Sequence, residues 1–155
     1  MAHTRLSMTV AGAFLAAACG ADQAQDTQDV TALDGSIQSA RSELVRHEDA
    51  IASATTLTAL PVELDRHDHI IGDIMGMMDV SLSGMTSRCT GSGMSMLPAR
   101  MDTLTAEMHS DRDIMTAAET LVDARSECTV HTQRANAVLD EMRQSLDGMG
   151  CMMGR

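Results

Sequence analysis

HDHIIGDIMGMMDVSLSGM, residues 67–85, decides how this chain folds, because it returns 64 residues later as HTQRANAVLDEMRQSLDGM, residues 131–149. His67/His131, Met78/Met142, Ser81-Leu82/Ser145-Leu146 and Gly84-Met85/Gly148-Met149 stand in register. Carried backwards, the same offset pairs Leu33/Leu97, Glu43/Glu107, Asp49/Asp113, Ala54/Ala118 and Thr56-Leu57/Thr120-Leu121. The pairs named are 12 identities within 59 aligned positions, where chance gives about 4 at ordinary residue usage. A repeat of this length with apolar residues every three or four positions is a helical hairpin used twice. The expected fold is therefore all-α, an up-down four-helix bundle.

Working outward, each expected helix carries one apolar stripe. The first runs from about Asp29 to Thr56, with Val30, Leu33, Ile37, Ala40, Leu44, His47, Ile51 and Ala54 on its face. Pro61 suits the first turn of the second, which carries Leu64, His67, Ile71, Ile74, Met78, Ser81 and Met85, with Gly84 as its C-cap. Residues 86–96 form a Gly/Ser-rich loop, and Pro98 opens the third helix, with Leu97, Met101, Leu104, Met108, Asp111, Met115, Ala118 and Val122 in line. The fourth carries Leu121, Ala124, Cys128, His131, Ala135, Val138, Met142 and Ser145 and closes at Gly148. No Gly or Pro marks the break between the last two helices. The repeat, with Asp123 and Ser126 as N-cap residues, places it near 121–125.

The leader is a separate piece. Leu6–Ala18 is an apolar run after Arg5, too short to span a membrane, and it ends Phe14-Leu15-Ala16-Ala17-Ala18-Cys19-Gly20. This ending resembles the lipobox of bacterial lipoproteins, although Leu15 sits one place upstream of the usual position; cleavage near Ala18 by ordinary signal peptidase is the alternative. The resemblance implies that Cys19 is acylated and that residues 1–18 are removed. Gly20 after the Cys implies the outer membrane, with the chain facing the periplasm. Residues 19–28 then form a flexible tether, and 29–155 the bundle.

Composition narrows the function. Twenty-two acidic residues against 11 arginines and no lysine leave a net charge of −11, which excludes nucleic acid as a partner. No CxxCH occurs, and the aromatic content is 1%, so haem is not expected. ExxH pairs on two helices, phosphate loops and HExxH are also missing, and no enzyme activity is expected.

Two constellations remain. His47, His67, Asp111 and His131 each interrupt an apolar stripe. With hairpin turns at 59 and 123, they lie about 12–18 Å from that end at ~1.5 Å per residue, within roughly one helical turn of each other. Three imidazoles and a carboxylate make a ligand set for zinc or a similar ion, with Cys128 one turn before His131. His69 and His109 lie off the stripes and are expected at the surface. The second constellation is sulfur at the opposite pole: Met75, Met78, Met85, Met94, Met96, Met142, Met149 and Met152. The Met75-Gly-Met77, Met94-Ser-Met96 and Met149-Gly-Cys-Met152 spacings resemble the methionine motifs of periplasmic copper-handling proteins. They put copper ahead of zinc; the bland reading is a Met-filled core. In an oxidising compartment Cys89 and Cys151, at that same pole, are expected to form a disulfide and leave Cys128 free.

The combined expectation is a lipid-anchored, periplasm-facing protein that binds copper or zinc and meets the membrane through its N-terminal lipid, with any protein partner left open. The alternative is a structural or protein-interaction lipoprotein whose polar core fixes helix register without a ligand.

Overall fold

The computed structural model describes residues 15–86, 89 and 91–149. Four helices follow in order: α1 (Leu15–Ser53), α2 (Leu60–Thr86), α3 (Ser92–Thr116) and α4 (Leu121–Asp147), with a 3-10 turn at Leu57–Ala59 before α2. α1 packs against α2 and α4, and α3 against α4 and α2, so consecutive helices are neighbours around a square. This is an all-α, up-down four-helix bundle made of two hairpins. The turns of both hairpins lie at one end, where Arg125 donates a 2.7 Å hydrogen bond to the Ala54 carbonyl. Among the described residues no helix is long and apolar enough to cross a membrane.

Helix ends depart from the sequence expectation in four places. α1 starts at Leu15 rather than Asp29, so residues 19–28 continue the helix instead of forming a loose tether. Their Ala and Gln content favours helix, and Gln25 bonds Asp29 one turn on at 3.0 Å. α2 runs through Gly84 to Thr86, so Gly84 is not its C-cap. α3 starts at Ser92, with Pro98 inside it rather than opening it. Pro98 removes one backbone bond, to the Met94 carbonyl, and the burial of Gly93, Met94 and Leu97 against the bundle compensates. The turn between α3 and α4 falls at 117–120, and its cap is Thr120. The Thr120 hydroxyl oxygen accepts from the Asp123 amide at 3.1 Å, and its hydrogen goes to Asp123 Oδ2 at 2.7 Å. Val122 consequently belongs to α4 and is exposed. Gly148 does close α4. Before α3, Gly91 holds φ 127°, which only glycine adopts without strain.

The core has two apolar parts. The larger contains Leu33, Ile37, Leu44, Ile71, Met78, Met85, Leu97, Leu104, Leu139 and Met142. The smaller, toward the hairpin turns, holds Ile51, Leu60, Leu64, Met115, Ala124 and Cys128. On α1 His47 lies between Leu44 and Ile51. On α2 His67 lies between Leu64 and Ile71, on α3 Asp111 between Met108 and Met115, and on α4 His131 between Cys128 and Ala135. A polar layer thus separates the two apolar parts.

Candidate metal centre

Each helix contributes one side chain to this layer, because each stripe has one polar member at the same height. All four are buried: His47 and His131 at 0% exposure, Asp111 at 1% and His67 at 2%. His47 and His67 stack with ring centroids 3.9 Å apart, and His131 meets both edge-on at 6.5 and 6.0 Å. His47 Nε2 lies 3.6 Å from Asp111 Oδ2, and His131 Nδ1 lies 3.8 Å from Asp111 Oδ1. Ligand atoms of His47, His67 and Asp111 all fall within 4.8 Å of one another, so these three can hold a metal ion. His131, expected as an equal member, stands a step back from that trio but still beside Asp111. His69 is exposed, with its ring 3.8 Å from Asp73, and His109 is exposed too, as their positions off the stripes predict.

A ring of carboxylates that the stripe argument missed surrounds the imidazoles. Glu63 Oε1 lies 2.9 Å from His47 Nδ1, and Glu43 Oε1 lies 2.9 Å from His67 Nδ1. Glu107 Oε1 approaches His131 Nδ1 at 3.5 Å. Arginines hold these carboxylates from outside. Arg66 reaches Glu43 at 2.6 Å and Glu63 at 2.5 Å, and Arg46 also bonds both. Arg134 reaches Glu107 at 2.7 Å and Glu127 at 2.6 Å. The signal was present in the repeat, which pairs Glu43 with Glu107 and sets each four residues before a member of the layer, His47 or Asp111.

The inner nitrogens have no such partners. Among the described residues the Nε2 atoms of His47, His67 and His131 are buried without a hydrogen bond, as are His131 Nδ1 and Asp111 Oδ1. Buried polar atoms are ordinarily satisfied, and five orphans in one layer are a concentration of free bonding capacity.

Charge is unevenly shared. Burial pulls the His47 pKa down, but the neighbouring Asp111 carboxylate, the Cys128 thiol and the hydrogen-bonded Glu63 outweigh it and push the value up to about 10. Burial and the positive charge of His47 carry His67 down to about 4, against a partial pull from Glu43. Burial also lowers His131, with Asp111 and Glu107 opposing and His47 adding to the fall. The layer therefore holds one imidazolium, His47, paired with Asp111, and two neutral imidazoles at neutral pH.

Cys128 is a buried free thiol facing His47, as its position one turn before His131 suggests. Cys89 is buried, whereas Cys151 lies outside the described residues, as do residues 1–14 of the leader; Cys19 falls in the early turns of α1. Of the methionines, Met78, Met85, Met94 and Met142 are buried inside the larger apolar part, and Met75 and Met149 pack against it. Met96 is 45% exposed, and Met152 lies outside the described residues. These thioethers fill space between leucines and isoleucines.

No protein family, curated protein or solved structure matches the chain in sequence or fold comparisons.

Proposed function

We propose that this protein is a metal-ion-binding helical bundle whose ion sits among His47, His67, Asp111 and His131, one ligand from each helix. The observation that carries the reading is the set of three buried Nε2 atoms without partners, on rings whose Nδ1 atoms face carboxylates. A histidine that ligates a metal through one nitrogen characteristically gives the other to a carboxylate. Tetrahedral zinc with bonds of ~2.0–2.1 Å places its ligand atoms about 3.3 Å apart. The trio within 4.8 Å needs only small rotamer changes to reach that spacing, and an inward turn of His131 completes the set.

Zinc moves ahead of copper in this reading. Nitrogen and carboxylate ligands suit Zn²⁺, while Met75, Met78, Met85, Met94, Met142 and Met149 are engaged in core packing. The leader's resemblance to a lipobox supports the address: anchored through Cys19, facing the periplasm. A lipid-bearing N-terminal peptide from the membrane fraction is the expected mass-spectrometric result; an unmodified Cys19 there removes the anchor.

The test of the site is uptake by purified protein titrated with Zn²⁺ and, separately, with Cu(I). Wild type should bind one zinc per chain, and His67→Ala with His131→Ala should abolish uptake while leaving the helical circular dichroism intact. Copper uptake that survives the double substitution would relocate function to the methionines. No uptake of either ion by wild type would leave a polar core that serves helix register alone.

A further inference from the structure

We propose that Glu43 and Glu107, each gripped from outside by an arginine, are positioning residues that hold His67 and His131 in the Nδ1–H form and so aim their Nε2 lone pairs at a shared ion. The inference rests on the metal-binding reading for its purpose, though not for its geometry.

A carboxylate can only accept, so a neutral imidazole that bonds it must donate. Glu43 Oε1 at 2.9 Å from His67 Nδ1 therefore puts the proton on Nδ1 and leaves the lone pair on Nε2. Glu107 Oε1 faces His131 Nδ1 at 3.5 Å without closing a hydrogen bond, so it is the looser of the two clasps and acts on His131 by its charge and position. A buried carboxylate is costly unless paired, and Glu43 is only 6% exposed. Arg66 and Arg46 both bond it, at 2.6 and 2.9 Å. This pairing keeps the carboxylate from drawing a second proton onto His67 and from swinging inward to ligate the ion itself. Arg134 does the same for Glu107 at 2.7 Å.

The two clasps are not simple copies. The repeat relates Glu43 to Glu107 and His67 to His131, but Arg66 corresponds to Val130 and Arg134 to Ile70. Arg66 precedes its histidine by one residue, whereas Arg134 follows its own by three. Both positions nevertheless bring a guanidinium to the same chain of arginine, glutamate and histidine, and both also hold a second glutamate, Glu63 or Glu127. Two different arginine positions converging on one arrangement argue that the arrangement itself matters.

The decisive measurement is the histidine tautomer. In the metal-free full chain with 15N-labelled histidine, long-range 1H–15N spectra near pH 7 should show His67 and His131 as neutral Nδ1–H imidazoles. Nε2–H forms at both would overturn the proposal, and this readout needs no variant to fold. Zinc affinity supplies a second readout. Glu43→Gln and Glu107→Gln should each weaken binding by about 10–100-fold, while Glu141→Gln, which removes only the surface pair with Arg100, should stay within about twofold. Equal affinities in all three variants would also overturn it. If wild type takes up no zinc, the metal reading fails by itself, and the tautomer spectrum still decides whether the clasps hold the rings.

Discussion

His47 is the residue on which the charge of the central layer turns, and its consequences are measurable without any metal. Its pKa in the fold stands near 10, against about 6.5 in an unfolded chain. Between those values the folded state holds the extra proton, so the stability it contributes is complete below pH 6.5 and is lost as pH rises toward 10. His67 behaves oppositely. Its folded value near 4 means that the unfolded chain binds the extra proton between pH 4 and 6.5, so stability falls as pH drops through that window. His131, shifted in the same direction, adds to the acid side. Urea midpoints of the chelator-treated protein should therefore peak near pH 6.5 and decline on both sides. In His47→Gln the alkaline decline should shrink; a profile in that variant identical to wild type would show that His47 does not hold the proton. None of this charge partition was legible in the sequence. The stripe argument found the four residues by their periodicity, but their protonation depends on distances across helices that no single helix encodes.

At the scale of the helix, the ends and close approaches decide what periodicity cannot. Gly93 lies where α3 meets α4: a Cβ there would sit 2.2 Å from the Ser145 carbonyl oxygen, a backbone atom with little freedom to yield. Gly93→Ala should cost about 1–3 kcal/mol through overpacking, read as a lower urea midpoint. Gly76 is exposed in α2 with open space around it, so Gly76→Ala should raise stability by roughly 0.5–1 kcal/mol through helix propensity. Opposite signs are the expected pattern. A Gly93→Ala protein as stable as wild type would mean that α3 does not approach α4 so closely. The same contact explains why α3 begins before Pro98: burial of Gly93 and Met94 holds a turn of helix that proline alone would argue against.

At the scale of the whole molecule, His47 and His67 come from one hairpin and Asp111 and His131 from the other, so a bound ion ties the hairpins together. An ion that binds only the folded state stabilises it by mass action, about 2.7 kcal/mol at a free concentration 100 times the Kd. Zinc at that level should raise Tm by several degrees, and the shift should vanish in His67→Ala with His131→Ala. A shift that persists in the double variant would place the ion elsewhere. The acidic surface, at a net charge of −11, attracts cations weakly and nonspecifically, which is why the comparison with the double variant carries the argument rather than the shift itself.

By itself the sequence determined the number of helices, their pairing into two hairpins and most of the residues that face the centre. These follow from the offset of 64 and from stripes at helical spacing, both local or repeated along one chain. Val122, expected inside, is exposed, and Leu139, off the expected stripe, is buried. Every member of the α2 stripe from Leu64 to Met85 is buried as its spacing requires. Heights along helices follow from the fixed rise per residue, so the common level of His47, His67, Asp111 and His131 could be reached by arithmetic. The glutamates and arginines around them could not, because a charged residue beside a stripe is exposed or buried according to what the neighbouring helix brings to it. Glu43 on α1 is buried since Arg66 and His67 on α2 meet it there. Glu48, five residues on along the same helix, meets Thr129 of α4 and is only half-buried. That choice is made by contacts between helices, and only the assembled bundle contains them.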